Sequence, residues 1–254
     1  MTLAPTPSSP VMVVSGGAAG IGLASASRWI QSGGRAVLVD RDAGAAERAA
    51  TTLGDAARGV GADVTSRTAV DTALASVAAV EGRVDALVNC AGIARPAPAA
   101  TMSDDDLSVL LDIHVTGTLR MCRAAFPLLK ASRGRIVNIA SVAALAGMPQ
   151  RLNYTAAKSA IGGLTRTLAV EWAPEGIRTN AVGPGYVRSA LTETLKERGE
   201  LRTEGIEART ALGRFGEPEE IAECVQFLAS EASSFVNGHL LMADGGLTID
   251  GNWY

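Results

Sequence analysis

The sequence predicts an α/β protein whose core is a Rossmann-type, doubly wound sheet of seven parallel strands with helices on both faces. Short β-branched apolar runs recur along the chain, and each is nearly continuous in hydrophobicity rather than alternating, as expected for parallel strands buried on both sides. Longer Ala-rich and Leu-rich segments with helical periodicity separate them. The runs read VMVVSGG, RAVLVD, VGADV, DALVNC, GRIVNIAS, TNAVGPG and LLMADGG.

The elements of the N-terminal part follow one another as strand, helix and strand. The first strand leads through a Gly-rich turn into a helix over 21–31, and the second strand ends at Asp40. The third run, at 60–64, precedes a helical segment over 69–80. We expect each helix to connect two parallel strands, because parallel neighbours need a crossover.

Two later helices carry capping signals. Ser103 is the expected N-cap of a helix whose first turn, Asp104–Asp106, is acidic and so suits the positive end of the helix dipole. Pro218 and Glu219 open a second helix, which is expected to end near Ala229. These signals delimit elements and assign no function.

The length is that of one domain. A chain of 254 residues, 47% of them hydrophobic, buries one sizeable core, and we expect a single catalytic domain over 11–254. Residues 1–10 contain neither a basic region nor a long apolar stretch, so we expect a disordered leader rather than a secretion signal. The charged stretch at about 189–212 is predicted to be an excursion that covers the substrate.

The composition argues against several classes of protein. Charges of both signs are interspersed around a net charge of -3, which does not favour nucleic acid, and the apolar runs are too short to span a membrane. The 3 cysteines form no C-x-x-C pair, which indicates reduced thiols in the cytoplasm. With 2 histidines and no Cys/His cluster, no metal site is predicted and a zinc-dependent alcohol dehydrogenase is excluded.

The turn after the first strand has the features of a dinucleotide-binding loop. Its glycines permit a tight turn, close approach of the backbone to a pyrophosphate and close packing of the next helix. Asp40 is expected to accept hydrogen bonds from the adenosine ribose and to repel a 2'-phosphate, which favours NAD over NADP. Arg41 keeps NADP open, because its guanidinium either binds a phosphate or pairs with Asp42 in solvent. The predicted contacts in the turn are Gly16, Gly20, Ile21 and Gly22.

Three polar residues form the candidate catalytic set. Tyr154 and Lys158 are spaced i, i+4 at the start of a predicted helix, so their side chains project from one face. Ser141 follows the fifth predicted strand, where the carboxyl end of a parallel sheet opens into a ligand crevice. We therefore expect all three side chains to meet at one point.

The order of these motifs resembles that of the single-domain short-chain dehydrogenase/reductase family, and the likeness runs from Val11 to about Gly246. The family's T-G-x-x-x-G-x-G turn appears as Ser15–Gly22, its N-N-A-G as Asn89–Gly92, and its Y-x-x-x-K as Tyr154–Lys158. The resemblance implies a nicotinamide-dependent oxidoreductase that acts on a small-molecule alcohol or ketone.

The resemblance also implies a role for each catalytic residue. Tyr154 would be the general acid or base, Ser141 would polarise the substrate oxygen, and Lys158 would bind the nicotinamide ribose. A lysine cation beside a phenol favours the phenolate, so we expect Lys158 to lower the pKa of Tyr154. By the same resemblance, further cofactor contacts come from Asp63 and Val64 at the adenine, from Asn89, Ala91 and Gly92 along the cofactor, and from Pro184, Gly185, Val187 and Ser189 at the carboxamide.

The sequence departs from the family pattern at two positions. Cys90 replaces the second Asn of N-N-A-G, and we expect it to be structural. His114 stands where the family usually has the Asn that completes a catalytic tetrad. Either the imidazole holds the relay water or it is a satisfied core side chain. In the first case, its titration near neutral pH would add a further transition, at low pH, to the dependence of activity on pH.

The residues around the catalytic set leave the substrate open. Polar side chains there suit a polyol or sugar, whereas apolar ones suit an alicyclic ketone. The polar candidates are Arg95, Gln150, Arg151, Asn153 and Tyr186, and the apolar ones are Val142, Leu145 and Met148. A 3-oxoacyl-thioester reductase is a further alternative.

Other functions and the assembly state also stay open. A non-redox enzyme on the same scaffold, or a cofactor-binding sensor with a relay broken at His114, are the alternatives to a dehydrogenase. The resemblance implies a homotetramer. We expect the apolar C-terminal residues Ile249, Trp253 and Tyr254 to dock on a neighbouring subunit.

Overall fold

A computed structural model describes residues 9–189, 192 and 203–251. In these residues seven parallel strands form one sheet, in the order β3-β2-β1-β4-β5-β6-β7. The chain reverses its direction of travel across the sheet between β3 and β4, which is the crossover of a doubly wound fold. The strands are β1 (Val11–Ser15), β2 (Arg35–Asp40), β3 (Ala57–Gly61), β4 (Ala86–Asn89), β5 (Arg135–Ile139), β6 (Arg178–Pro184) and β7 (Leu240–Ala243).

Helices cover both faces of the sheet, so the predicted fold class is confirmed. The helices are α1 (Gly20–Gln31), α2 (Ala43–Leu53), α3 (Arg67–Val80), α4 (Asp104–Leu111), α5 (Gly117–Ser132), α6 (Leu152–Glu171), α7 (Glu204–Arg209) and α8 (Pro218–Ala229). On one face Val70 of α3 and Leu129 of α5 belong to a core cluster with β-strand residues. On the other face Trp29 of α1 and Val225 of α8 do the same.

A π-helical segment, Asp112–Thr116, joins α4 to α5 into one helical run. The run begins where it was predicted to begin, because the Ser103 hydroxyl accepts a hydrogen bond of 3.1 Å from the Asp106 N–H. His114 lies in the middle of the π segment, and it is buried. Such segments are rare and occur often at functional sites.

The third strand lies three residues earlier than predicted. It spans Ala57–Gly61 instead of 60–64, so Asp63 and Val64 belong to the loop that follows it. β3 is an edge strand, and its residues are only partly buried. Its N-terminal half, Ala57 to Gly59, therefore lacks the apolar signal on which the prediction depended.

The last described helix begins as predicted. Pro218 is its first residue, and Glu217 and Glu220 form a capping box in which each side chain binds the backbone of the other. This fixed start positions α8 against α1, and an ion pair of 2.6 Å between Arg28 and Glu223 links the two helices.

Three predicted features fall partly or wholly outside the described residues. Residues 1–8 of the predicted leader lie outside, whereas the carbonyl of Pro10 already accepts hydrogen bonds from Arg35 and Trp29. Trp253 and Tyr254 of the tail also lie outside. Of the predicted excursion, Ser189, Thr192 and 203–212 are described. The last stretch packs against the end of β7 through a hydrogen bond of 3.0 Å from the Leu212 N–H to the Gly245 carbonyl. No helix among the described residues is long and apolar enough to cross a membrane.

Candidate active site

Two adjoining cavities open at the carboxyl ends of the strands. The larger has a volume of about 410 Å³ and lies between the start of α1, the end of β5, the start of α6 and the turn after β6. The smaller has a volume of about 180 Å³ and lies between the ends of β2 and β3. Gly92 and Ile93 line both cavities, so the loop after β4 separates the larger cavity from the smaller one.

The three candidate catalytic side chains meet in the larger cavity, as their positions in the sequence predict. Ser141 directly follows β5 and Ala140, and its hydroxyl accepts a hydrogen bond of 3.2 Å from the Ala143 N–H, which fixes the start of a short 3-10 turn. Tyr154 and Lys158 project from the first two turns of α6, and the Lys158 Nζ lies 5.6 Å from the centroid of the Tyr154 ring. A hydrogen bond joins Ser141 to Tyr154.

The surroundings of Tyr154 correct one expectation. Burial raises the pKa of the phenol above its usual value, and the hydrogen bond with Ser141 and the charge of Arg151 only partly oppose that effect. The nearby cation that lowers the pKa is thus Arg151 rather than Lys158. The phenol is therefore largely protonated near neutral pH, the form that donates a proton.

Lys158 is a buried cation. Its ammonium group donates a hydrogen bond of 2.7 Å to the carbonyl of Ile139 at the end of β5. Burial lowers the pKa of Lys158 to about 8, because an ammonium group loses its hydration inside the protein. The remaining ammonium protons are available to a ligand in the cavity that Lys158 lines.

His114 reaches the same cavity from the π segment. Its Nε2 lies 2.8 Å from the carbonyl oxygen and 3.2 Å from the amide nitrogen of Ile93. The shorter distance favours the tautomer in which Nε2–H donates to the carbonyl. The imidazole stands edge-on to Tyr154, with ring centroids 5.6 Å apart and planes at 89°. A Cβ on Gly92 would overlap the imidazole, so the loop after β4 packs directly on it.

The environment of His114 shifts the pKa of its imidazole well away from neutral pH, so no change of activity near pH 7 is expected from its titration. Burial, with a smaller contribution from the charge of Lys158, lowers the pKa of His114 to about 3. The imidazole therefore stays neutral throughout the physiological range and does not titrate where the sequence suggested. Through its hydrogen bond to the Ile93 carbonyl, this side chain holds the loop after β4.

The Gly-rich turn fits a pyrophosphate. The N-cap of α1, Ala19, makes no side-chain hydrogen bond and the first turn has no acidic residue, so the first N–H groups of the helix can bind an anion. Gly20 has a φ of 53°, and a Cβ there would meet no protein atom and would project into open space. A Cβ on Gly22 would overlap the carbonyl of Gly16, so both glycines are needed for the turn itself.

The smaller cavity fits the adenosine half of a dinucleotide. Asp40 and Asp63 line it together with Val64. Asp40 accepts a hydrogen bond of 3.3 Å from the Ala18 N–H, which connects the end of β2 to the Gly-rich turn. Arg41 also lines this cavity, and its charge contributes to a lowered pKa of Asp63, whose main cause is the hydrogen bond from the Thr65 N–H.

Most of the other predicted cofactor residues line one of the two cavities. Ile21, Pro184, Gly185, Val187 and Ser189 line the larger one, and Gly16 and Ala91 line the smaller one.

Asn89 and Cys90 have different surroundings. Asn89 lines neither cavity: its side-chain amide donates to the Asn138 oxygen at 2.9 Å and to the Cys122 sulfur at 3.3 Å. Its side chain therefore joins β4 to β5 and α5 beneath the site. Cys90, expected to be structural, lines the larger cavity, and burial raises the pKa of its thiol to about 11. The thiol is therefore unreactive near neutral pH.

The predicted substrate residues divide into two groups. Val142, Met148, Arg151 and Tyr186 line the larger cavity, whereas Arg95, Leu145, Gln150 and Asn153 do not. Asn153 is buried, and it donates a hydrogen bond of 2.9 Å to the carbonyl of Arg95, so it holds the loop after β4 in place. Ile93, Ala94, Arg188 and Thr192 also line this cavity. Their sequence signal is only their position beside recognised motifs.

Comparisons with known proteins agree with this geometry. A family model described as enoyl-(acyl carrier protein) reductase matches residues 16–248. The chain is 41% identical over 244 residues to the short-chain reductase protein NovJ of Streptomyces niveus, and the match covers 93% of both chains. It is 41% identical over 243 residues to the D-threitol dehydrogenase of Mycolicibacterium smegmatis, covering 94% of this chain and 93% of the relative. The crystal structure of gox2181 matches with a TM-score of 0.91 at 38% identity, over 95% of this chain and 96% of that one.

Proposed function

Since the chain belongs to the short-chain dehydrogenase/reductase family, we propose that it is an NAD(H)-dependent oxidoreductase that interconverts a secondary alcohol and its ketone. One observation carries this proposal: Ser141, Tyr154 and Lys158 line a single cavity, which adjoins a Gly-rich turn that fits a pyrophosphate. The bound nicotinamide accepts or supplies the hydride.

Tyr154 moves the proton in this reaction. In the reductive direction its phenol donates a proton to the ketone oxygen, and in the oxidative direction its phenolate accepts the proton of the alcohol. Ser141 is hydrogen-bonded to Tyr154 and can donate to the same substrate oxygen as negative charge develops there. Burial, which raises the pKa of Tyr154, favours the protonated form needed for reduction.

Lys158 and His114 prepare the site without taking the substrate proton. The Ile139 carbonyl holds the Lys158 ammonium group, whose other protons would bind the ribose hydroxyls of a bound cofactor. His114 is assigned a positioning role, because its Nε2 is engaged by Ile93 and its pKa is about 3. We favour this role over the relay because the neutral imidazole has a single N–H, which the Ile93 carbonyl already accepts.

The preference for NAD rests on Asp40. Its carboxylate lines the smaller cavity, where it would accept hydrogen bonds from ribose hydroxyl groups and repel a 2'-phosphate. Arg41 lies in the same cavity and would attract that phosphate. We assign NAD because Asp40 is tied to the Gly-rich turn through Ala18, whereas Arg41 is exposed.

Polyols form the first class of substrates to test, because D-threitol dehydrogenase is the name of one close relative. A second candidate is reduction of the 3-oxo group of an acyl thioester, because a relative that is 35% identical is named 3-oxoacyl-[acyl-carrier-protein] reductase FabG.

The experiment follows reduced nicotinamide by absorbance with purified protein, NAD or NADP, and a panel of polyols, cyclic alcohols and 3-oxoacyl thioesters. Turnover with NAD and a secondary alcohol is expected, and Tyr154→Phe should lose at least about a hundredfold in kcat, the low end for general acid–base catalysis. Fluorescence titration with NADH controls for the variant, whose cofactor affinity should be unchanged. Tight NADH binding by the wild type without turnover of any substrate would contradict the proposal and favour a sensor.

A further inference from the structure

The larger cavity is strongly biased in charge. Arg151, Lys158 and Arg188 line it, and no Asp or Glu does so among the described residues. The rest of its wall is largely apolar around the catalytic residues, with Ile93, Val142, Met148 and Tyr186 among its members. Such a cavity attracts an anion more strongly than a neutral ligand, because the low-dielectric walls weaken the screening of each charge.

Two of these cations already have partners. Lys158 is bonded to the Ile139 carbonyl and lies at the position assigned to the cofactor ribose. Arg188 forms an ion pair of 3.1 Å with Glu217. The guanidinium of Arg151 forms no ion pair and no hydrogen bond with any described residue. Arg151 is therefore the cation whose donors are left for a ligand.

Arg151 stands where helix stability disfavours a cation. It is the N-cap of α6, a position that prefers Ser, Thr, Asp or Asn, and it makes no side-chain cap. The positive end of the helix dipole repels its charge. Gln150, just before it, has a left-handed φ of 61°, a conformation that costs free energy for a residue other than glycine. Strain and an unfavourable charge in one turn indicate a functional requirement rather than a structural one.

The backbone nevertheless holds Arg151 firmly. Its carbonyl accepts a hydrogen bond of 2.7 Å from the Thr155 N–H, and its N–H donates one of 3.1 Å to the Met148 carbonyl. The guanidinium lies close enough to Tyr154 to affect that residue's pKa. Residues three apart on a helix have Cβ atoms on the order of 5–6 Å apart. Arg151 and Tyr154 line the same cavity, so one ligand in it can contact both side chains.

We propose that Arg151 binds a carboxylate, sulfonate or phosphate group of the substrate, so that the enzyme acts on acidic secondary alcohols and the corresponding keto acids. This inference rests on the proposed dehydrogenase function and specifies its substrate class. A planar guanidinium binds such groups through two parallel hydrogen bonds, which orients the substrate as well as holding it. The apolar wall then contacts the carbon chain between the acid and the carbinol.

Matched substrate pairs test the proposal. We would compare kcat/KM for 3-hydroxybutyrate with that for 3-hydroxybutanamide, and for 4-hydroxypentanoate with its amide, with D-threitol as an unrelated neutral alcohol. Wild-type enzyme should prefer each acid to its amide by about ten- to a hundredfold, the range for a hydrogen bond to a charged group. Arg151→Gln should lose that preference, measured as the ratio of kcat/KM for each acid to that for its amide, and Arg151→Lys should keep part of it.

Two further variants identify which charge is responsible. Arg67→Gln removes a surface charge that is paired with Asp71 on α3, and it should keep the full preference. Arg188→Gln removes the paired cation of the same cavity. Loss of the preference in Arg188→Gln but not in Arg151→Gln would overturn the assignment to Arg151. NADH affinity, measured by fluorescence, distinguishes a substrate anion from the cofactor's phosphates: a weaker affinity in Arg151→Gln would mean that this arginine binds the cofactor, and would also overturn the proposal.

A binding measurement keeps the outcomes distinct. Isothermal titration of acetoacetate and of acetoacetamide into Tyr154→Phe saturated with NADH, which slows turnover of the ketone, should give tighter binding of acetoacetate. Adding Arg151→Gln to Tyr154→Phe should remove the difference. Turnover of D-threitol and the amides with no preference for acids would refute the role of Arg151 and leave the dehydrogenase function intact. Absence of all turnover, with acetoacetate still bound through Arg151, would refute the dehydrogenase function and leave the anion site.

Discussion

Replacing Lys158 by Met should change how the stability of the protein depends on pH. Burial lowers the pKa of Lys158 from 10.5 to about 8. Because one pKa unit corresponds to about 1.36 kcal/mol, the folded protein carries a penalty of about 3 kcal/mol for keeping this side chain charged. The penalty is complete below pH 8, where both the folded and the unfolded chain are protonated at this site.

The sign of the pH effect follows from proton counting. Between pH 8 and 10.5 the unfolded chain keeps the Lys158 proton and the folded chain loses it, so the free energy of unfolding rises with pH by up to about 1.36 kcal/mol per pH unit. Lys158→Met has no proton to lose at this position. The difference in stability, wild type minus variant, should therefore increase by about 3 kcal/mol between pH 7 and pH 10.5.

Urea denaturation at several pH values measures this difference. Both proteins are unfolded at the same concentration and ionic strength, because any assembly makes the midpoint depend on concentration. Titrating groups that do not interact with Lys158 cancel in the difference. The two that do interact with it, Cys90 and His114, have pKa values of about 11 and about 3, which lie outside the range tested. A difference that stays constant from pH 7 to pH 10.5 would show that the Lys158 ammonium group is not destabilised by burial.

Three further predictions concern the cofactor, the relay position and the assembly. The pH dependence of activity between pH 5 and 8 should have the same shape in His114→Asn as in the wild type, because burial lowers the pKa of the wild-type imidazole to about 3. A transition in that range that is present in the wild type and absent in the variant would contradict this. Asp40→Ser should raise kcat/KM with NADP relative to NAD by at least about tenfold, since it removes a carboxylate that repels the 2'-phosphate; an unchanged ratio would shift the selectivity to other residues. We also propose a homotetramer: Val170 and Phe235 are exposed, on segments joined by a hydrogen bond from Asn237 to Ala169. Light scattering should give four times the chain mass, and a monomer would refute it.

The sequence predicted the sheet well because its central strands are buried on both faces. The strands β1, β2 and β4 to β7 lie at the apolar runs that predicted them, because a strand buried on both faces has a continuous apolar sequence. The range predicted for β3 began three residues too late, because β3 is an edge strand whose residues are only partly buried. Polar or small residues such as Arg58 are stable there, so hydrophobicity does not delimit the strand.

The candidate site was predictable where motif spacing determines geometry. Tyr154 and Lys158 share a helix face at any i, i+4 spacing, and Ser141 follows a central strand. Side-chain direction and burial were not predictable from spacing. Asn89 lies in a motif beside the cavities, but its side-chain amide contacts Asn138 and Cys122 instead of facing either cavity. The pKa of His114 depends on packing against residues far away in the sequence.

The π segment makes chain length itself a determinant of the site. In Asp112–Thr116 the hydrogen bonds are those of a π-helix, so this turn contains one residue more than an α-helical turn. Deleting one residue within it would let a regular helix run from α4 into α5 and would nearly keep the register of both flanks, because the π turn accommodates one extra residue. The local backbone that holds His114 against Ile93 would be lost, whereas α4 would still pack on α6. A homologue without this extra residue would therefore not present an equivalent side chain here, and substitutions tested in it would not transfer to position 114.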